Sequence, residues 1–127
     1  MNIIGHGIDI IECERIQLVW ERHGDRFLRR VFTPREIDYC LTKRNPLPHL
    51  AGRFAAKEAV LKVLGTGWRG AICWTDVEVS KASSGQPIIL LAGDSARIAR
   101  EMKIQTVQIS ISHTQRYAAA SAIGLGG

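Results

Sequence analysis

An α+β fold is predicted, one compact domain spanning residues 1–127 with helices packed on a mainly antiparallel sheet. Three observations carry this. Apolar residues recur at helical spacing through much of the first half, strand-like alternation takes over in the second, and 127 residues supply one core but not two.

Residues 3–11 are rich in β-branched side chains and read as a strand, with His6, Ile8 and Ile10 on the face opposite Gly7, Asp9 and Ile11. From Glu12 the period turns helical. Ile16, Val19, Trp20, Phe27 and Val31 follow it across Gly24, a residue able to break or bend the run. Thr33-Pro34-Arg35-Glu36 has the form of a capping box with proline at the first helical position.

Asn45-Pro46-Leu47-Pro48 reads as the loop that ends this helix. A longer helix is then expected over about 49–64 along Leu50, Phe54, Leu61 and Leu64, stopped by Gly65-Thr66-Gly67. Strands follow at 75–80, with Val77 and Val79 inward, and at 87–91, before a brief helix capped by Asp94 that runs through Met102. A hairpin closes the chain. Val107, Ile109, Ile111 and His113 share one face, Gln108, Ser110 and Ser112 the other, and 117–123 returns after Thr114-Gln115-Arg116.

Seventeen basic against twelve acidic residues leave a net charge of +5, which favours a polyanionic partner: nucleic acid, a phosphorylated cofactor or an acidic protein. No apolar run approaches the ~20 residues of a membrane span, and the N-terminus lacks the basic start and apolar stretch of a signal peptide, so a cytoplasmic protein with no membrane partner is expected. Cys13, Cys40 and Cys73 lie far apart without metal-ligand spacing and are expected to be reduced core thiols.

The helix segment Arg53-Phe54-Ala55-Ala56-Lys57-Glu58-Ala59-Val60-Leu61-Lys62 places charge at the border of its apolar stripe. A carboxylate there needs a metal, a lysine or a substrate as partner; a plain Glu58–Lys62 helix pair is the simplest alternative. Asp9, between Ile8 and Ile10, is an acid inside an apolar strand. Together with Glu58 it makes the minimal protein share of a Mg²⁺ site, where water and substrate phosphates fill the other positions, unless Asp9 is only a surface-edge acid. Gly65-Thr66-Gly67 is a weak phosphate signal that also reads as a helix C-cap, with Lys62 and Arg69 nearby as positive charge. His113 ends an apolar strand face, where a histidine serves as either a structural hydrogen bonder or a ligand contact.

Arg15, Arg22, Arg26 and Arg29 are spaced seven, four and three apart, one stripe on a continuous helix or two patches if Gly24 breaks it. The stripe reads as a solvated face or as a dock for an acidic helix. Aromatics make up only 6% and none alternates with the arginines, which argues against nucleic acid.

Taken in order, Gly7-Ile8-Asp9-Ile10-Ile11-Glu12, Glu14-Arg15-Ile16, Phe54-Ala55-Ala56-Lys57-Glu58-Ala59, Lys62, Gly65-Thr66-Gly67, Gly85-Gln86-Pro87 and Ser110-Ile111-Ser112-His113 resemble the short bacterial 4'-phosphopantetheinyl transferases, the holo-acyl-carrier-protein synthase group. Cys13 departs from the usual aliphatic residue, and Trp68 and Trp74 enrich the loop after the glycines. The resemblance implies Mg²⁺-dependent transfer of phosphopantetheine from coenzyme A to a serine of apo acyl carrier protein. Asp9 and Glu58 would hold the metal, and Lys62 would neutralise the transferred group. Glu58, directly or through water, or a separate metal-bound water, would serve as base. By the same resemblance Arg53, Gly65, Thr66, Gly67, Pro87 and His113 would line the coenzyme A cleft, His113 at the 3'-phosphate. Arg15, Arg22 and Arg26 would meet the carrier's acidic helix, and the short chain would assemble as a homotrimer with clefts between subunits. A basic binding module without catalysis and a Mg²⁺-dependent phosphate-ester hydrolase are the competing readings.

Overall fold

Thirteen of the nineteen residues of the central helix α4 (Pro46–Leu64) are buried, so the rest of the chain is wrapped around it. The computed structural model describes residues 1–67 and 72–127; Trp68 and Arg69 lie outside them. α4 begins at Pro46 and not after Pro48 as the sequence suggested, because a proline in the first turn loses no intrahelical hydrogen bond and its fixed φ suits the helix. It ends as expected on Gly65, which is left-handed at φ 74° and donates its N–H to the Leu61 carbonyl at 2.9 Å.

Strand β1 (Asn2–Glu12) leads into α1 (Cys13–His23), and Gly24, at φ 56° and ψ −136°, breaks the helical run before α2 (Asp25–Val31). Helix α3 (Pro34–Leu41) carries the expected capping box: Thr33 Oγ1 accepts from the Glu36 N–H at 3.3 Å, and Glu36 Oε1 accepts from the Thr33 N–H at 2.8 Å. A 3₁₀ turn over Trp74–Asp76 takes Thr75 out of the expected strand, which starts instead as β2 (Val77–Lys81) and pairs antiparallel with β3 (Pro87–Leu91). Val77 and Val79 are buried, as their alternation requires.

Helix α5 (Gly93–Glu101) is not capped by Asp94, which sits inside the first turn and meets Arg97; Ser95 Oγ instead donates to the Ala92 carbonyl at 2.6 Å. The closing hairpin joins β4 (Ile104–His113) to β5 (Tyr117–Gly126), and β5 lies between β4 and β1 in a three-stranded antiparallel sheet. α4 crosses its inner face. There Ala118, Ala120 and Ala122 are buried, whereas Ile8 and Ile10 on the outer face are 61% and 67% exposed. Cys13 and Cys40 are core thiols as expected; Cys73 is exposed. No helix of the described residues is long and apolar enough to cross a membrane.

Candidate active site

Glycine sets the distance between β1 and α4. A methyl group on Gly7 would lie 2.1 Å from the Ala59 carbonyl oxygen and 2.9 Å from Lys62 Cβ, so only a residue without a side chain lets the strand touch the helix backbone. Asp9, two residues on, shares that inward face. Its carboxylate, 20% exposed, stands 3.6 Å from Lys62 Nζ, which also donates to the Ile8 carbonyl at 2.7 Å. The acid of the first strand therefore faces the helix, and its isoleucine neighbours face outward.

Phe54, Glu58 and Lys62 form one row on successive turns of α4. At the start of that row Phe54 stacks on Trp74 with ring centroids 4.8 Å apart. The two rings, with Val19, Arg26, Phe27 and Arg30, line an open cleft of about 510 Å³. Arg26 thus reaches the row that contains Glu58, while Arg15 and Arg22 are exposed on α1, separated from Arg26 and Arg29 by the break at Gly24.

Lys57, next to this row, is not part of the open site. Its side chain is fully buried, 2.8 Å from Glu36 Oε1, and it donates to the carbonyls of Trp74, at 3.1 Å, and Val77. Glu36 Oε2 also accepts from the Val79 N–H at 2.9 Å. Burial lowers the Lys57 pKa and the Glu36 carboxylate opposes that shift. The pair ties α3, α4 and β2 together with its polar atoms satisfied, the condition under which a buried ion pair is tolerated.

A second polar cluster lies on the other side of α4. The Arg53 guanidinium carbon sits 4.1 Å from the Tyr39 ring centroid, with Lys43 Nζ at 4.4 Å and Lys81 Nζ at 4.3 Å. Lys81 also donates to the Tyr39 hydroxyl at 2.5 Å, and that bond leads the causes lowering the tyrosine pKa. His49 packs between Tyr39 and His113, with centroids 6.0 and 5.3 Å away. Pro87 is the cross-strand partner of Lys81 and so lies beside the cluster. Arg53, Pro87 and His113, which the resemblance assigned to a coenzyme A cleft, lie at or beside this cluster, whereas Tyr39, Lys43, His49 and Lys81 were not singled out; the signal for three of these was a tyrosine and a histidine four residues before a lysine and an arginine.

Arg53 and Lys62 are nine residues apart, two and a half helical turns, and so point to opposite sides of α4. The residues expected around one cleft fall into two groups: Asp9, Glu58, Lys62 and Gly65-Thr66-Gly67 on one side, Arg53, Pro87 and His113 on the other. Gly65 and Gly67, both at positive φ, open onto space in which an added Cβ would meet no atom of the other described residues within 4 Å.

Residues 5–122 match the 4'-phosphopantetheinyl transferase superfamily. The chain belongs to that superfamily. Its relatives include a holo-[acyl-carrier-protein] synthase of Koribacter versatilis, 46% identical over 95% of this chain and 97% of that one. Among solved structures, the holo-[acyl-carrier-protein] synthase of Neisseria meningitidis superposes with a TM-score of 0.89 at 31% identity, covering 98% of this chain and 99% of that one. The Helicobacter pylori holo-[acyl-carrier-protein] synthase, solved in complex with coenzyme A, gives a TM-score of 0.82 at 32% identity over 94% and 99% of the two chains. The transferase fold expected from the sequence is therefore the fold observed. No group of three or more histidine, cysteine or acidic side chains gathers among the described residues as a metal cage. The donors this transferase offers are carboxylates, a set that suits Mg²⁺, which binds through one or two carboxylates and takes its other ligands from water and phosphate.

Proposed function

We propose that this chain is a holo-acyl-carrier-protein synthase, moving 4'-phosphopantetheine from coenzyme A to a serine of apo acyl carrier protein and releasing adenosine 3',5'-bisphosphate, in support of fatty acid biosynthesis in the cytoplasm. The observation that carries this reading is the β1–α4 crossing. In a chain of this superfamily, it holds Asp9 against Lys62 in the row that begins at the Phe54–Trp74 cleft.

The serine oxygen forms a bond to the phosphorus bearing the pantetheine arm while that phosphorus loses its bond to the bridging oxygen of the pyrophosphate. Lys62 neutralises the transferred phosphoryl group, and Glu58 takes the proton that leaves the serine hydroxyl. Asp9 and Glu58 would hold Mg²⁺, which supplies charge stabilisation on the leaving phosphate when bound. Arg15, Arg22 and Arg26 receive the carrier's acidic helix, with the Phe54–Trp74 cleft as its apolar floor.

The division of the coenzyme A residues between two sides of α4 supports a homotrimer in which each cleft lies between neighbours. One subunit gives Asp9, Glu58, Lys62 and Gly65-Thr66-Gly67; the next gives Arg53, Pro87 and His113. The exposed isoleucines of the outer sheet face, Ile8 and Ile10, supply apolar surface for that assembly.

The test is to incubate the protein with coenzyme A, Mg²⁺ and an apo carrier protein and to weigh the carrier by mass spectrometry. Gain of one phosphopantetheine is expected, abolished in Asp9→Ala and Glu58→Ala. An unchanged carrier mass overturns the reading, and coenzyme A cleavage without a carrier would point to a hydrolase instead.

A further inference from the structure

Lys62 holds the acid of the first strand loosely. Its Nζ donates to the Ile8 carbonyl at 2.7 Å, a full hydrogen bond. It stands 3.6 Å from Asp9 Oδ1, an ionic contact longer than the ~2.7–2.9 Å of a charge-assisted hydrogen bond. The two partners also differ in freedom. Asp9 belongs to a strand that Gly7 seats on the Ala59 carbonyl, and its side chain is 20% exposed, against 55% for Lys62. The lysine is confined only at its base, where Lys62 Cβ lies 2.9 Å from the place of a methyl on Gly7, and its ammonium ends a flexible four-carbon stem. The lysine head is therefore free to move while the acid stays.

Charge balance gives that freedom a use. Asp9 and Glu58 bring two negative charges, which a dication on both carboxylates cancels. Lys62 is then a surplus cation beside another cation, and the two repel. A phosphate anion offers the displaced ammonium a new partner. We propose that Lys62 exchanges partners: it cedes Asp9 to the divalent cation and turns to the phosphates of coenzyme A, so that metal and donor each bind better in the presence of the other. This rests on the functional reading above, which gives the metal to Asp9 and Glu58 and the phosphate to Lys62, and it adds that this one lysine couples the two. Coupling of this kind is reciprocal, so the lysine that opposes the metal in the absence of a phosphate favours it once a phosphate is bound.

The experiment measures Mn²⁺ binding by electron paramagnetic resonance of the free ion, Mn²⁺ standing in for Mg²⁺ on oxygen ligands. Wild type, Lys62→Met and Lys62→Arg are compared at low salt, with and without coenzyme A, and the ion held by coenzyme A alone is subtracted. Without the donor, Lys62→Met is expected to bind Mn²⁺ about tenfold more tightly than wild type, and Lys62→Arg, which keeps the charge, to stay within about threefold of wild type. With coenzyme A present the advantage of Lys62→Met should vanish or reverse. Equal affinities of wild type and Lys62→Met without the donor would overturn the exchange. So would an advantage that coenzyme A leaves unchanged, or a gain in Lys62→Arg as large as in Lys62→Met.

Calorimetry of coenzyme A binding with and without Mg²⁺ reads the same coupling from the other side. Mg²⁺ should strengthen donor binding to wild type more than to Lys62→Met; an equal gain in both counts against the exchange. Asp9→Asn separates the two levels of the argument. A wild type that binds no Mn²⁺ even with coenzyme A, or an Asp9→Asn protein that binds it as well as wild type, defeats the metal assignment in the functional reading. Binding that depends on Asp9 but ignores residue 62 defeats only the exchange.

Discussion

Lys57 Nζ and Glu36 Oε1 lie 2.8 Å apart with neither side chain exposed, and between them they hold the backbone of three separate elements. Removing one partner leaves the other charged and buried. Lys57→Met is expected to destabilise the fold by about 3–5 kcal/mol, and the double variant Lys57→Met/Glu36→Gln by less than the sum of the two single changes. Urea unfolding of the four proteins measures this, and strict additivity would show that the two groups do not act as a pair.

Gly7 is the contact on which the position of Asp9 depends. In Gly7→Ala the new methyl meets backbone, the Ala59 carbonyl, and a carbonyl on a buried helix has no rotamer by which to move aside. The strand must lift from α4 and carry Asp9 away from Lys62. A stability loss of roughly 1–3 kcal/mol is expected, with kcat falling more than tenfold. Thermal unfolding and the carrier assay check both effects; a stable, fully active variant would show that the close approach of strand and helix is not needed.

Most of the architecture was legible because its signals were local. Thr33 and Glu36 announce a capping box four residues long, Gly24 and Gly65 stop helices where a positive φ is needed, and the alternation from Val107 to His113 gives the last hairpin its faces. Asp9 stood out as a carboxylate where a strand disfavours one, and it does face the helix. The errors came where one local rule competed with another or where distance in sequence mattered. Pro46 and Pro48 satisfy both a loop and a first helical turn, and the partner that lets Lys57 sit inside the apolar stripe, Glu36, belongs to a different helix. The place of Lys81 in the Tyr39 cluster was hidden for the same reason: Lys81 comes from a strand far down the chain and joins Tyr39 only through the packing of β2 on α3.

His49 gives the protein a sensitivity to acid. Burial is the main cause lowering its pKa below the ordinary 6.5, with His113, Lys43, Arg53 and Lys81 adding to it. The unfolded chain therefore takes up a proton below pH 6.5 that the folded chain resists. Stability is expected to fall as pH drops from 6.5 toward the lower folded pKa and to level off beneath it. His49→Gln should flatten this part of the profile in urea unfolding between neutral and mildly acid pH; an identical slope in the variant would assign the effect to other groups.

Arg15 and Arg22 of α1 are exposed and belong to the proposed carrier dock and not to the proposed coenzyme A cleft, so reversing them should act on one substrate only. Arg15→Glu and Arg22→Glu are expected to raise KM for the carrier protein about tenfold or more at low salt while leaving KM for coenzyme A near its wild-type value. Michaelis analysis with each substrate varied in turn decides this. A parallel rise in both constants would remove the docking role.

Arg53 and Lys62 on opposite sides of α4 make a prediction that does not depend on knowing the ligand's pose. Arg53→Ala damages one side of every subunit and Lys62→Ala the other, so each variant alone has no intact cleft if clefts join neighbours. Unfolded together at equal amounts and refolded, the two variants form mixed oligomers. In these, the Lys62 side of an Arg53→Ala subunit can face the Arg53 side of a Lys62→Ala subunit. Random assembly makes about one quarter of the clefts native, since each requires one particular variant on each side. The mixture should regain about that fraction of wild-type activity, and the separate variants should not. A mixture no more active than its parts would mean that each subunit builds its cleft alone, and the two sides of α4 would then need another explanation.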